Sequence, residues 1–219
     1  MNRFSEQVHT MSEQAPARQS KKLATQARIL DAARIHFERD GFHETNLRGI
    51  AADAGVATGT VLLHFTDKLG LLHAALHDDL EEAIRRSLAS SSRRNRDRLL
   101  VRLTAVVRPF YAYYAARPSL SRVLLRESLL AESPWRERFA AQLTRVNVHV
   151  VALVEAAKAE GEVASTVHPG LFAAAFSSFY YFALIGWVQG ALEDPMPLFK
   201  KLMAQHIAAT SSISRQDDP

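Results

Sequence analysis

The sequence contains no cysteine, which removes disulfides, thiolate metal sites and a cysteine nucleophile from consideration. Glycine and proline are scarce, nine and eight in 219 residues, and they punctuate long periodic stretches rather than filling them. That pattern disfavours a turn-rich β architecture and predicts an all-α fold. An excess of one charge is also missing. The formal net charge is only +4, so a nucleic-acid partner would have to be met by local clusters of cations. There is no nucleophile elbow, phosphate loop, dense carboxylate cluster or HExxH pair, so neither enzymatic activity nor a cofactor is expected. Residues 1–22 lack the apolar core of a signal peptide, and a reducing cytoplasm suits a chain without thiols.

One stretch lacks charge altogether. From Val163 to Leu192 there is no Asp, Glu, Lys or Arg, and Leu171–Leu192 is long enough to span a bilayer. It nevertheless carries Ser177, Ser178, Tyr180, Tyr181 and Gln189, and nothing else in the chain resembles it. A buried or subunit-interface helix, not a membrane span, is the expectation.

Residues 1–22 are polar and aperiodic and read as a mobile arm, with Arg18, Lys21 and Lys22 near enough to a first helix to reach phosphates. That helix is predicted over 23–39, carried by Ile29, Leu30, Ala33 and Phe37, and ended by Gly41. Thr45 reads as the N-cap of a second helix running to Asp53. Gly55 fits a tight turn with positive φ, followed by a short third helix over about 57–64. A long fourth helix starts near Asp67 and runs to about Ser90. The Arg93, Arg94, Arg96 and Arg98 run reads as a solvated helix start. Further helices follow over 96–116 and 119–131, then from Ser133-Pro134 to Gly161, from Pro169, and from Pro195 or Pro197. The last residues, 211–219, read as a flexible tail. His73 and His77 have metal-ligand spacing with Asp78 beside them, but two imidazoles do not make a site, and a solvated face is the expectation.

The region that carries function is Thr45–Lys68. Two short helices joined by a glycine turn cross steeply, so the second can enter a major groove while the first spans the backbone. Thr58, Thr60 and His64 would then face outward, with hydroxyl and imidazole groups suited to base edges or phosphates. The ordered set Ile29-Leu30, Ala32-Ala33, Phe37, Gly41-Phe42, Thr45, Ile50-Ala51, Ala54-Gly55-Val56, Gly59-Thr60, Phe65, Lys68 and Leu71-Leu72 strongly resembles the TetR family of repressors over about residues 23–72.

That resemblance implies a three-helix DNA-binding domain (23–68) joined to a helical ligand-binding and dimerisation domain (69–210). It further implies a homodimer through helices eight and nine, a palindromic double-stranded operator, and release by a small-molecule effector. It also implies contact roles: Arg48 near a base edge, Thr60 and His64 on the reading helix, Lys68 against a phosphate, and Thr45 as a cap that also meets the backbone. The chain departs from the family at Leu62 and Leu63, where aromatics or His are usual, and at Ala57 and Thr58, where Ser and a basic or polar residue are common. Leu62 and Leu63 can meet thymine methyls instead. The same departures motivate a competing reading, a helical interaction protein that keeps the fold without reading DNA.

Aromatic residues concentrate in the C-terminal half, as expected for a largely apolar effector pocket between helices. The candidates to line it are Phe110, Tyr114, Arg126, Phe139, Asn147, Ser178 and Tyr181, with Arg122 and Gln142 as further polar groups.

Overall fold

The computed structural model describes residues 3–94, 96–129 and 135–212, with side chains of the first helix described from Arg18 onward. Among the described residues the secondary structure is α-helical with no strand, as expected. The elements are α1 (Arg3–Glu44), α2 (Leu47–Asp53), α3 (Thr58–Phe65), α4 (Lys68–Ser92), α5 (Leu99–Ala116), α6 (Pro118–Leu129), α7 (Trp135–Ala159), α8 (Pro169–Val188) and α9 (Pro195–Ser212). The Ser133-Pro134 start proposed for the seventh helix lies outside the described residues, as do residues 213–219 of the expected tail.

The first helix corrects the sequence reading. It begins at Arg3, so the stretch read as a mobile arm is helical. Its Gln, Glu, Ala, Arg and Lys residues are good helix formers, and Phe4, Val8, Met11 and Ala15 fall at the three- and four-residue steps of one helix face, a periodicity the sequence reading passed over. The regular helix breaks where predicted, at Gly41, whose φ is +78°.

Two compact units divide the chain, Met1–His77 and Asp78–Pro219, and the division falls inside α4 rather than at its start. The first turns of α4 belong to the first unit because Leu71, Leu72 and Ala75 are fully buried there. Arg34 Nε also donates to the Ala75 carbonyl at 2.7 Å. They join Ile29, Ala33 and Phe37 of α1, Ile50 of α2, and Val61 and Phe65 of α3 in one small core. In the second unit α8 packs on α7 and α9, and α5 packs on α9 and α7. Val150 and Val154 of α7, Phe172 and Leu184 of α8, Leu103 of α5, and Phe199 and Met203 of α9 fill that core. Pro169 opens α8 as predicted, with His168 as N-cap accepting from the Leu171 amide at 3.3 Å.

Candidate functional site

The helix-turn-helix is assembled by caps. Asn46, not Thr45, is the N-cap of α2, its Oδ1 accepting from the Gly49 amide at 2.8 Å. Thr45 is buried, and its hydroxyl donates toward the carbonyls of Gly41 (2.7 Å) and His36 (3.1 Å). That hydroxyl closes the end of α1 on itself, so the expected capping role does not hold for it. The end of α2 is a Schellman cap: the Val56 amide donates to Ala51 O at 2.9 Å and the Gly55 amide to Ala52 O at 3.1 Å. Gly55 has φ +65°, the positive value expected of it.

Two ties that sequence reasoning missed set the angle of this motif. The buried His36 ring of α1 shares a 2.8 Å hydrogen bond with Asp53 at the end of α2. Its edge lies against Gly49, where a Cβ would stand 3.0 Å from His36 Cε1. A signal was present, since His36 follows Ile29 by seven residues and so shares its buried face. The second tie is Lys68. Its Nζ donates to Thr45 O at 2.9 Å and His43 O at 3.1 Å, and sits 4.7 Å from the centre of the Phe42 ring. At least two of its three donors are therefore directed at protein carbonyls.

What remains facing outward is a narrow set. On α3 Val61 and Phe65 point into the core, while Leu63 is 84% exposed and Leu62 45%. Thr58, Thr60 and His64 are half-buried beside them, with the His64 ring 6.0 Å from that of Phe65. Arg48 is exposed on α2. Arg28, which sequence reasoning did not single out, is exposed on α1 with Nη1 3.7 Å from where a Gly55 Cβ would lie, beside the turn.

The second unit holds an open cavity of about 330 Å³ lined by residues of α4 to α8. Phe110, Tyr114, Phe139 and Tyr181, four of the candidate pocket residues, line it together with Phe176 and Tyr180. Burial raises the phenols of Tyr114, Tyr180 and Tyr181 above their ordinary value, so they line the cavity as neutral hydroxyls. Gln142 also faces it and donates to Glu81 Oε1 at 2.7 Å, while Arg145 donates to both Glu81 oxygens at 2.6 Å.

A model of bacterial regulatory proteins of the tetR family matches residues 29–75, which span α1 from Ile29 through the first turns of α4. The N-terminal domain belongs to the tetR family. Over 68 residues the chain is 35% identical to the HTH-type transcriptional regulator UidR of Escherichia coli strain K12. The match covers 31% of this chain and spans about a third (35%) of that protein's length. Solved structures of similar fold include FadR of Bacillus subtilis in complex with stearoyl-CoA (TM-score 0.59, 18% identity, covering 81% of this chain and 95% of that one). Another is SmeT, the repressor of the Stenotrophomonas maltophilia multidrug efflux pump SmeDEF (TM-score 0.60, 21% identity, covering 84% and 89%).

Three predicted pocket residues fall outside the cavity lining. Arg126 is exposed and paired with its neighbour Glu127 at 2.7 Å, because its place on α6 turns it to solvent. Ser178 is exposed on the outer face of α8, donating back to the Ala174 carbonyl at 2.9 Å. Asn147 stands behind the wall, accepting at 2.7 Å from Ser177, which does line the cavity. Arg136, at the start of α7, lines the cavity without having been predicted.

Proposed function

We propose that the chain is a ligand-responsive transcriptional regulator, not an enzyme, which binds a palindromic DNA operator as a homodimer and is released by a small, largely apolar molecule. The observation that carries the DNA-binding part is the outward face of the tetR-type motif. Leu62 and Leu63 are exposed on α3 although the same helix has a core to bury them in, and Arg48 stands exposed on the preceding helix. Exposed leucines at a reading helix suit thymine methyls, and a guanidinium suits guanine bidentately. Thr58, Thr60 and His64 supply polar contacts around them. Thr45 and Lys68 act chiefly by fixing where α2 begins, although the third Lys68 proton can still meet a phosphate.

Dimerisation through α8 and α9 is supported by a second pattern. Leu171, Ala174, Ser178, Phe182 and Ile185, and the C-cap Gln189, are exposed at steps of three or four residues along α8. That is the seam of a helix made to pack on another. Helix α8 is the one described helix long and apolar enough to cross a membrane, yet only 28% of its apolar stretch is buried. A second copy of the same seam covers it in a soluble, cytoplasmic dimer and brings two reading helices to two half-sites. Gly186 is not part of the seam. It faces Leu192, whose Cδ1 would lie 2.9 Å from an added Cβ.

The test is fluorescence anisotropy of the purified chain with labelled DNA from upstream of its own gene, in competition with random DNA. Saturable binding that random DNA displaces only at large excess is the expected result. Equal affinity for both would leave the fold without a reader's function.

A further inference from the structure

We propose that the groove between α4 and α5 is a second ligand site, for a small molecule carrying two or more linked phosphates, and that Arg93 and Arg108 hold those phosphates. The groove has a volume of about 640 Å³ and shares no lining residue with the apolar cavity. Small side chains keep it open: Ala83, Ala89, Pro109 and Ala112 stand where longer residues would fill the space between the helices. Two contacts fix how its rims face each other. Ser87 Oγ of α4 donates to Val106 O of α5 at 2.7 Å, and Asp79 of α4 pairs at 3.0 Å with Arg117, the C-cap of α5. The two helices therefore run antiparallel, and Arg108 stands across from the turn of α4 that holds Arg85 and Arg86. Arg93 follows just beyond the end of α4, where its amide continues the helical turn by donating to Ala89 O at 3.2 Å. It comes two turns after Arg86, on the same face.

Charge collects at one end of this groove. At the far end Asp79 and Arg117 neutralise each other. Toward the near end Glu82 accepts from Arg85 Nε at 2.8 Å and from Arg86 Nε at 2.6 Å, so one carboxylate serves two guanidiniums. Arg93 and Arg108 are exposed, line the groove, and have no side-chain hydrogen bond or ion pair among the described residues. Four arginines thus face one carboxylate there, which leaves three positive charges. Arg94, beside Arg93 in sequence, is tied to Asp97 at 3.1 Å and does not line the groove. A concave cationic surface concentrates its field and draws multiply charged anions. Each guanidinium can meet two phosphate oxygens through parallel N–H donors. A monoanion leaves most of that charge unmet, whereas linked phosphates bring several negative charges within one molecule. The concavity and the neutral far end favour a short anion over the long backbone of a duplex.

The experiment titrates the full chain, free of DNA and at physiological ionic strength, with ATP, AMP and adenosine in a calorimeter. ATP is expected to saturate and to bind about tenfold more tightly than AMP, with no saturable binding by adenosine. Arg93→Gln and Arg108→Gln should each weaken ATP binding about fivefold, the effect of one exposed charge-assisted contact. Arg94→Gln removes the same charge from the neighbouring residue and should leave ATP within about twofold, since diffuse attraction is screened. That contrast separates a site from the general pull of a basic protein. The proposal is overturned if ATP fails to saturate at millimolar concentration, if AMP or adenosine binds as tightly as ATP, if Arg93→Gln and Arg108→Gln leave ATP binding unchanged, or if Arg94→Gln weakens it as much as they do. A DNA duplex of random sequence is the last probe. If Arg93→Gln and Arg108→Gln weaken the duplex as much as they weaken ATP, the groove is a contact for DNA backbone and the small-molecule site is refuted.

Discussion

Replacing Lys68 by Met keeps the aliphatic stem and removes the ammonium, which isolates the tie between α4 and the end of α1. The ammonium donates to two carbonyls, at 2.9 and 3.1 Å, and lies over the Phe42 ring. A hydrogen bond to a charged group contributes about 1.5–3 kcal/mol when shielded, and a cation–π contact at an exposed site about 0.5–1 kcal/mol. Lys68 is half-exposed, so solvent screening reduces the sum, and about 1–3 kcal/mol is the expected loss. A domain of this size has about 5 kcal/mol of stability in all, so the loss is a large share of it. Both tryptophans, Trp135 and Trp187, lie in the second unit, so urea unfolding can be followed separately. Tryptophan fluorescence reports the second unit alone, while far-ultraviolet circular dichroism reports both. Lys68→Met should move the early part of the dichroism transition about 1–2 M lower in urea and leave the fluorescence transition in place. If dichroism is unchanged while affinity for all DNA sequences falls alike, Lys68 is a phosphate contact and the strap argument fails.

Three further outcomes are expected. Arg48→Ala should weaken binding to specific DNA by about 1–3 kcal/mol and relax preference at one base pair per half-site; an equal loss on random DNA would mean that Arg48 does not read bases. Phe182→Glu, at a position 63% exposed on the α8 seam, should give a monomer in sedimentation with unchanged helical dichroism; a persistent dimer would place the interface elsewhere. The third concerns His149, whose ring lies 2.5 Å from Ser91 Oγ and whose pKa is lowered by burial and then by Arg102. The folded state takes up this proton less readily than the unfolded chain. The stability contribution is therefore whole above about pH 6.5 and declines as the pH falls below it. His149→Gln should flatten that dependence in the fluorescence-detected transition, and an unchanged slope would assign it to other groups.

Most of the helical frame was legible because its boundaries are written in residues with one physical meaning. Gly41 and Gly55 adopt the positive φ that marks chain turns, and Pro169 opens α8. The apolar periodicity of Ile29, Ala33 and Phe37 fixed which face of α1 is buried. Two errors at boundaries came from signals with more than one reading. Thr45 and Asn46 are both good caps, and only the fold shows that the Thr45 hydroxyl is already used at the end of α1. Residues 3–22 are mostly polar and contain Pro16, and their short apolar series Phe4, Val8, Met11 and Ala15 was outweighed by that polarity, yet α1 runs through them.

The site was less legible for a reason that separates reading from holding. Arg48 and Leu63, expected at a DNA interface, stand exposed, and Phe110, Tyr114, Phe139 and Tyr181, expected at a pocket, line a cavity. Lys68 and Thr45 match the family pattern equally well, but their polar atoms are directed inward, at backbone carbonyls. His36 and Asp53 match no contact pattern at all, and they hold α2 against α1. Recurrence of a residue type at a DNA-binding motif thus has two physical causes: contact with the nucleic acid, and maintenance of the angle that makes contact geometrically possible. The two respond differently to salt. A phosphate contact releases a counterion and lowers the salt slope when removed, whereas a holding residue lowers the stability of the motif at every ionic strength. The ratio of these two effects, measured for Arg28, Arg48 and Lys68 side by side, separates the reader of this chain from its scaffold.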